Sequence, residues 1–293
     1  MNEWTIQRLL TWITEYLTKN EVDAPRLSGE LLLSHVLELT RIDLYTQYNK
    51  PVGQAHLDQL RGLVKRAGQH EPVAYLVGRT EFYSLQMEVD GNCLIPRPET
   101  ELLVQKAIEF LRTREGTQHV CDLCTGSGCI AVAIAKNVPD AKVTATDLSD
   151  AALAMAARNV EKHELQDRVE LLCGDLFEPL LPHLDVTQWD LIVCNPPYVS
   201  AAEYEALDKN VKDYEPPSAL LAGDDGLDVY RRLAEGVDQH LKPGGTLLLE
   251  IGYAQGPAVR EMLTDTGLFA EVTVEKDDQN NDRIVTARRI ADA

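Results

Sequence analysis

This 293-residue chain lacks the features of a membrane or secreted protein. No stretch approaches the roughly 18 uncharged apolar residues that a membrane span requires. The start, Met1-Asn2-Glu3-Trp4, has neither the basic nor the apolar region of a secretion signal. We therefore expect a soluble, cytoplasmic protein without a membrane partner.

Basic residues are also scarce. Lys and Arg number 28 against 47 Asp and Glu, which gives a formal net charge of −19 at pH 7. Binding through phosphates needs clustered Lys and Arg, so we expect no direct nucleic-acid partner.

Cysteine is too sparse for a disulfide scaffold. One cluster, His119, Cys121, Cys124 and Cys129, resembles a compact metal site. Alternate residues of a strand point to opposite faces, however, which separates His119 and Cys121 from Cys124. We expect no metal and interpret these cysteines as small buried residues.

The N-terminal segment has the apolar period of amphipathic helices. Its three stripes are Ile6, Leu9, Leu10, Ile13 and Leu17; Leu27, Leu31, Leu32, Val36 and Leu39; and Leu57, Leu60, Val64 and Ala67. Asp23 and Pro25 fit a helix start. We predict a helical domain over residues 1–78, which either docks a substrate or stabilises the domain that follows.

Residues 79–98 predict a β-hairpin linker. Phe82 to Val89 has the alternation of a strand, Asp90-Gly91-Asn92 is a turn signal, and Cys93-Leu94-Ile95 is a second short strand. Pro96 and Pro98 then stiffen the chain before a helix that Thr100 would cap.

Residues 99–293 alternate between buried strands and helices, which predicts an α/β catalytic domain with a doubly wound, mostly parallel sheet. Two final strands, Phe269 to Val274 and Arg283 to Ala287, would form a hairpin around Lys276 to Asp282. The other strands are predicted at Val120 to Leu123, Lys142 to Thr146, Val169 to Cys173, Leu191 to Cys194 and Thr246 to Ile251, with helices at Cys129 to Asn137 and Ala151 to His163.

A glycine-rich loop, Cys124-Thr125-Gly126-Ser127-Gly128, ends the first of these strands and opens a helix. Gly126 and Gly128 remove side chains where the backbone must approach a ligand, and the helix N-terminus supplies N–H donors. The loop differs from the dinucleotide fingerprint, because Ile130 and Ala131 occupy the region of the third glycine.

Carboxylates end the next two strands. Asp147 is placed to accept both ribose hydroxyls of a nucleoside, and Ser149 would cap the helix that follows. Asp175 would accept from an adenine amino group, with Leu176 or Phe177 flanking the ring. Each acid has an alternative role in a helix cap or turn, but the order of glycine loop and two acids predicts a nucleoside cofactor.

Asn195-Pro196-Pro197-Tyr198 directly follows the apolar run that ends at Cys194. Asn195 offers a side-chain oxygen, and the prolines have carbonyls but no N–H, so both hydrogens of a planar NH2 group can be held here. Tyr198 adds a stacking surface. We predict these four residues to be catalytic, against the alternative of an ordinary turn.

With these motifs the chain resembles the class I S-adenosylmethionine-dependent methyltransferases, specifically the HemK/PrmC family of peptide chain release factor protein-(glutamine-N5) methyltransferases. Arg97-Pro98-Glu99-Thr100-Glu101 is the most discriminating segment, because the Asn-Pro-Pro-Tyr turn is shared with DNA amino-methyltransferases. Cys124 stands where such loops usually have glycine, and it fits there if its φ is negative. The other matching segments are Pro72 to Gly78, Leu94 to Pro96, the glycine loop, Tyr214-Glu215-Pro216 and Leu247 to Gly252.

The resemblance implies a Rossmann-like, seven-stranded sheet with an antiparallel last strand, and S-adenosyl-L-methionine as cofactor. It implies methylation of the glutamine N5 in the Gly-Gly-Gln loop of class I release factors by a protein that we expect to be a monomer. The expected cofactor-binding residues are Cys124, Thr125, Gly126, Ser127, Gly128, Asp147, Asp175, Leu176 and Asn195.

Two alternatives share this chemistry: a ribosomal-protein glutamine methyltransferase, and a nucleic-acid amino-methyltransferase, which should carry a basic face. Arg97 and Glu99 belong either to the substrate entrance or to a salt-bridged interdomain hinge.

Overall fold

The computed structural model describes residues 3–180 and 188–292. Its helices are α1 (Ile6–Lys19), α2 (Pro25–Leu37), α3 (Arg41–Thr46), α4 (Gln54–Ala67), α5 (Val73–Val77), α6 (Thr100–Arg112), α7 (Cys129–Asn137), α8 (Asp150–Lys162), α9 (Ala201–Glu205), α10 (Lys209–Lys212), α11 (Asp228–His240) and α12 (Gly256–Asp265). Its strands are β1 (Arg79–Phe82), β2 (Leu85–Glu88), β3 (Gln118–Leu123), β4 (Ala141–Asp147), β5 (Val169–Cys173), β6 (Trp189–Cys194), β7 (Leu241–Glu250), β8 (Phe269–Lys276) and β9 (Asp282–Arg289).

The chain divides into two compact units. The first contains Met1–Arg79 together with Asp208–Tyr214, and the second contains Thr80–Leu207 and Glu215–Ala293. No pattern in the sequence predicted that residues 208–214 belong with the helical segment. Within the first unit, the Tyr214 hydroxyl donates to the Gln69 carbonyl at 3.0 Å.

The first unit is a helical bundle. The apolar stripe predicted for α1 is buried as expected. α2 approaches α1 closely at Gly29, where a Cβ would lie 3.1 Å from Cγ2 of Ile13. Ser28 and Leu32 lie on the same buried face of α2 as Gly29. Leu27 lies on the opposite face and is 40% exposed. The predicted burial of Leu27 is therefore wrong.

β1 and β2 form a separate two-stranded sheet. Their turn lies at Tyr83-Ser84, whose φ values of 50° and 60° are the left-handed geometry of a two-residue hairpin turn. The turn predicted at Asp90 to Asn92 is present: the Asp90 carboxylate accepts the Asn92 N–H at 2.9 Å, and the Asp90 carbonyl accepts the Cys93 N–H at 3.3 Å. The strand predicted at Cys93 to Ile95 is wrong, so this turn ends the extended chain and is not the turn of the hairpin.

The central sheet has the strand order β5-β4-β3-β6-β7-β9-β8. The first five strands are parallel, and β9 runs antiparallel to both of its neighbours. This confirms the predicted doubly wound sheet and the antiparallel last strand. β4 and β5 lie on one side of β3 and β6 on the other, so the strand order reverses here, and ligands bind at such a switch point.

Apolar residues cover both faces of this sheet, with α6, α7 and α8 on one side and α11 and α12 on the other. The parallel strands are therefore nearly continuous apolar runs. Leu123 pairs with Cys194 at the carboxyl edge. The loop after β3 and the turn after β6, although distant in sequence, consequently emerge side by side.

Candidate active site

A cavity of about 510 Å³ lies at the carboxyl edge of the sheet, within the second unit. Parallel strands bring their carboxyl ends to one edge, which explains why several predicted segments meet here. The predicted residues that line it are Cys124, Thr125, Gly126, Ser127, Asp147, Asp175, Leu176, Asn195 and Pro197. Gly128, Pro196 and Tyr198 are not among the lining residues.

The glycine loop keeps a left-handed geometry at its first position. Cys124 has φ 58°, so the negative φ under which its side chain would fit without strain is not what the loop adopts. A side chain in this region costs about 1–2 kcal/mol, which the surrounding bonds offset. The Thr125 N–H donates to the Thr146 carbonyl at 2.9 Å, and the Gly128 N–H donates to the Thr125 carbonyl at 2.9 Å.

Gly128 contributes by close packing, not by facing the ligand. Its φ is 78°, and a Cβ there would lie 3.1 Å from the Ala156 Cβ on α8. The residue lets α7 begin tightly against its neighbouring helix. Gly126 also has a positive φ, but a Cβ there would meet no atom within 4 Å.

The Asp122 carboxyl is buried beneath this loop. Its Oδ2 accepts from the Thr125 hydroxyl at 2.6 Å and from the Ala131 N–H at 3.1 Å. Its Oδ1 has no hydrogen-bond partner among the described residues. Burial raises the pKa of Asp122 to about 7, against the opposing effect of these bonds. The carboxyl ties the loop to the first turn of α7.

The Asp147 carboxylate lines the cavity and also accepts backbone N–H groups from two loops. Its Oδ2 accepts the Gly126 N–H at 2.8 Å and its Oδ1 accepts the Ser149 N–H at 2.9 Å, while the side chain lines the cavity. Burial raises its pKa. Each carboxylate oxygen still has a lone pair for a ligand hydroxyl. Ser149 caps α8 by accepting the Ala152 N–H at 3.2 Å, as predicted.

Asp175, which follows β5, forms an ion pair with an arginine that the sequence analysis did not predict. Asp175 Oδ2 lies 2.7 Å from Arg232 Nη2 on α11, and both residues line the cavity. Leu176 also lines it, but Phe177 stacks on His240 with ring centroids 4.4 Å apart and is not among the lining residues. Of the two candidates for flanking an adenine ring, only Leu176 lines the cavity. No pattern in the sequence predicted that Arg232 would lie at the cavity beside Asp175.

The Asn195 side chain is hydrogen-bonded to Thr100, which the sequence analysis predicted as a helix cap. Its Nδ2 donates to the Thr100 Oγ1 at 3.2 Å. Thr100 is the first residue of α6, and the capping position is Glu99, which makes no side-chain cap bond. The predicted cap at Thr100 is therefore wrong, because its hydroxyl faces Asn195.

Tyr198 lies against the apolar core. Burial raises its pKa to about 12, and its carbonyl accepts from Gln255 Nε2 at 2.9 Å. This bond ties the turn after β6 to the segment that leads into α12. The stacking of Tyr198 on a substrate stays a prediction.

Arg97 lines the cavity and pairs with Glu215 at 2.5 Å. Glu215 is 3% exposed, and its Oε2 also accepts the Ile95 N–H at 3.3 Å. This salt bridge lies within the second unit. It braces the proline-rich segment at the cavity wall, whereas Glu99 is not among the lining residues.

We also searched residues 3–180 and 188–292 for metal-binding clusters and for membrane-spanning helices. No group of three or more His, Cys, Asp or Glu is arranged to hold a metal ion there. No helix in that part of the chain has both the length and the apolar character to cross a membrane.

Comparison with protein families matches both parts of the chain. Residues 8–78 match the PrmC N-terminal domain, and residues 99–213 match the Methyltransferase small domain.

Similar proteins extend over nearly the full length. A release factor glutamine methyltransferase from Rhodopirellula baltica is 42% identical, over 98% of this chain and 97% of its own. The protein of the same name from Geobacter sulfurreducens is also 42% identical, over 97% of each chain. Among solved structures, the hMettl16 catalytic domain aligns with a TM-score of 0.57 at 18% identity, covering 80% of this chain and 82% of that one, which supports the fold alone.

Proposed function

This chain belongs to the release factor glutamine methyltransferase family, and from that premise we propose that it methylates the N5 of the glutamine in the Gly-Gly-Gln loop of class I release factors. The methyl donor in this proposal is S-adenosyl-L-methionine. The observation that carries the proposal is the Asn195 side chain at the cavity, where its Nδ2 donates to Thr100 beside the glycine loop and Asp147.

The residues present fit this donor. A cavity of about 510 Å³ is of the size that small-molecule cofactors occupy. The Asp147 carboxylate is fixed by two backbone N–H groups, so it is ready to accept ribose hydroxyls. Leu176 provides an apolar surface for a base, with Asp175 beside it. When bound, S-adenosyl-L-methionine supplies a methyl group on a sulfonium centre, whose departure needs no acid.

The protein must compensate for a weak nucleophile. An amide nitrogen is unreactive because its lone pair is delocalised into the carbonyl. In the proposed mechanism the Asn195 Oδ1 and the Pro196 carbonyl each accept one amide hydrogen of the glutamine. Both acceptors stabilise the positive charge that develops on nitrogen and hold the group in one orientation. Pro197 and Tyr198 keep the turn rigid and exclude water.

The same proposal covers partners and location. The first unit would dock the release factor, the enzyme would act as a monomer, and it would work in the cytoplasm without binding nucleic acid directly. The net charge of −19 supports this last point, since phosphate binding needs basic clusters.

Labelled methyl transfer tests the proposal. The purified enzyme is given a release factor, the same factor with its Gly-Gly-Gln glutamine replaced by alanine, a ribosomal protein extract, or DNA. We expect label in the first substrate alone. Label in the ribosomal extract alone would favour the ribosomal-protein enzyme, and label in DNA alone would overturn the assignment.

A further inference from the structure

Leu176, which lines the cavity, has a backbone conformation that its side chain disfavours. Its φ is 49°, in the left-handed region that a residue with a Cβ adopts only when its surroundings hold it there. The Leu176 carbonyl accepts from the Thr146 hydroxyl at 3.2 Å. The other contacts that hold this short segment belong to the residues on either side of Leu176, and they lead to α11.

The residue before Leu176 is held by Arg232 of α11. Asp175 Oδ2 lies 2.7 Å from Arg232 Nη2, and both residues line the cavity. The two side chains are 31% and 49% exposed, so the pair contributes little to the stability of the fold. The guanidinium instead fixes the direction of the carboxylate, which keeps lone pairs for a donor in the cavity.

The residue after Leu176 packs against the same helix. The Phe177 ring stacks on the His240 ring, with centroids 4.4 Å apart and planes inclined by 9°. Gly236 leaves room for the edge of the Phe177 ring, because a Cβ at Gly236 would lie 2.6 Å from Phe177 Cδ2. His240 Nδ1 donates to the Gly236 carbonyl at 2.8 Å, which fixes the imidazole that meets the ring. Phe177 is therefore held on two sides.

Arg232, Gly236 and His240 are spaced four residues apart, so they lie along one face of α11. This face contacts Asp175 and Phe177, the two neighbours of Leu176. Packing of the core alone would not require glycine at position 236, since alanine is the better helix former.

We propose that Arg232, Gly236 and His240 are positioning residues that fix the surface on which the adenine ring of the methyl donor binds. Asp175 then presents an acceptor to the exocyclic amino group of the ring, and Leu176 presents an apolar face. The inference rests on the proposed function, because it assumes that the cavity binds S-adenosyl-L-methionine. It gives α11 a role in the choice of base, which a helix that only supports the fold would not have.

Calorimetric titration with two ligands tests this role. The first is S-adenosyl-L-homocysteine, and the second is S-inosyl-L-homocysteine, in which an oxo group replaces the exocyclic amino group. Wild type should bind the adenine compound at least about 10-fold more tightly, because an oxo group cannot donate to the Asp175 carboxylate.

Gly236→Ala should weaken binding of the adenine compound roughly 10- to 100-fold, since the added methyl group overpacks the contact with Phe177. The loss for the inosine compound should be smaller, because that compound makes no amino contact to lose. With saturating donor, kcat should stay within about threefold of wild type while the KM of the donor rises with Kd.

Arg232→Met should narrow the preference for adenine about two- to fivefold, the size expected of a half-exposed ion pair. Arg232→Lys should restore part of that preference, because lysine keeps the charge and loses the planar fork.

Two matched controls and one double variant separate positioning from general damage. Gly62→Ala adds the same methyl group to α4, where a Cβ meets no atom within 4 Å. Arg231→Met removes a 46% exposed arginine of α11 that is not among the residues lining the cavity. Both should keep the wild-type Kd for each compound. Phe177→Leu added to Gly236→Ala makes room for the Cβ, so the double variant should bind the adenine compound more tightly than Gly236→Ala alone.

A Gly236→Ala enzyme with wild-type affinities, or with equal losses for the two compounds, would overturn the inference. A wild-type enzyme without a preference for adenine would do the same. If Gly236→Ala fails to fold, Arg232→Met decides, and an unchanged preference in that variant would refute the role of α11. Failure of the proposed function is a different result, because the wild-type enzyme would then transfer no methyl group to the release factor.

Discussion

Asp122→Asn should stabilise the second unit at alkaline pH, because the wild-type carboxyl is buried and no cation among residues 3–180 and 188–292 pairs with it. Its pKa is raised from an ordinary value of 3.8 to about 7, mainly by burial. The folded state thus binds the Asp122 proton more tightly than the unfolded state does. The stabilisation from this proton is complete below pH 3.8 and is lost as the pH rises to about 7.

The expected size follows from that shift. About three pKa units correspond to about 4 kcal/mol at pH 8 and to less than half of that at pH 5. Asparagine keeps an oxygen for the Thr125 hydroxyl and the Ala131 N–H. Its NH2 takes the place of the unpartnered Oδ1, which costs about 1–2 kcal/mol. The net gain in unfolding free energy should be about 2–3 kcal/mol at pH 8 and close to zero at pH 5.

Urea unfolding followed by tryptophan fluorescence can isolate this effect. The chain has three tryptophans. A Trp4→Phe, Trp12→Phe background leaves Trp189, which is buried in the second unit, as the reporter. Glu250 is present in both proteins, so its titration cancels in the difference. If Asp122→Asn is no more stable than its parent at pH 8, or if the difference is the same at both pH values, the reasoning is wrong.

Three further predictions concern the cavity. Asn195→Ala should abolish methyl transfer but keep the calorimetric Kd of S-adenosyl-L-methionine, and strong residual turnover would reject its acceptor role. Asp147→Ala should weaken cofactor binding by roughly 10- to 100-fold in the same calorimetric assay, whereas the exposed neighbour Asp150→Ala should not; equal affinities for the two variants would remove Asp147 from the ribose site. Arg97→Met should lower the unfolding free energy by about 2–4 kcal/mol in a denaturant titration, because it leaves the buried Glu215 without its cation. Adding Glu215→Gln should recover most of that loss, and no recovery would show that the pair is not the cause.

Patterns that depend on neighbours in the chain were readable from the sequence. Strand ends, the glycine loop and the Asn195 turn follow from apolar periodicity and from turn residues, and the structure brings most of them to one edge. The hairpin turn was misplaced because Asp90 to Asn92 also forms a local turn, while the chain reverses earlier at Tyr83-Ser84. Residues 83–84 and residues 90–92 can both form a turn. Which of the two closes the hairpin is decided by the pairing of β1 with β2.

The sequence by itself determined which chemical groups stand at each strand end, since period and turn chemistry act over a few residues. Only the tertiary structure decided their partners. Asn195 meets Thr100 across 95 residues, and Arg97 meets Glu215 across 118. Arg232 reaches Asp175 from a helix that shows no local sign of the contact. Burial and the direction of a hydrogen bond depend on which distant segments pack together, so the raised pKa of Glu250 and the orientation of Asn195 exist only in the folded chain.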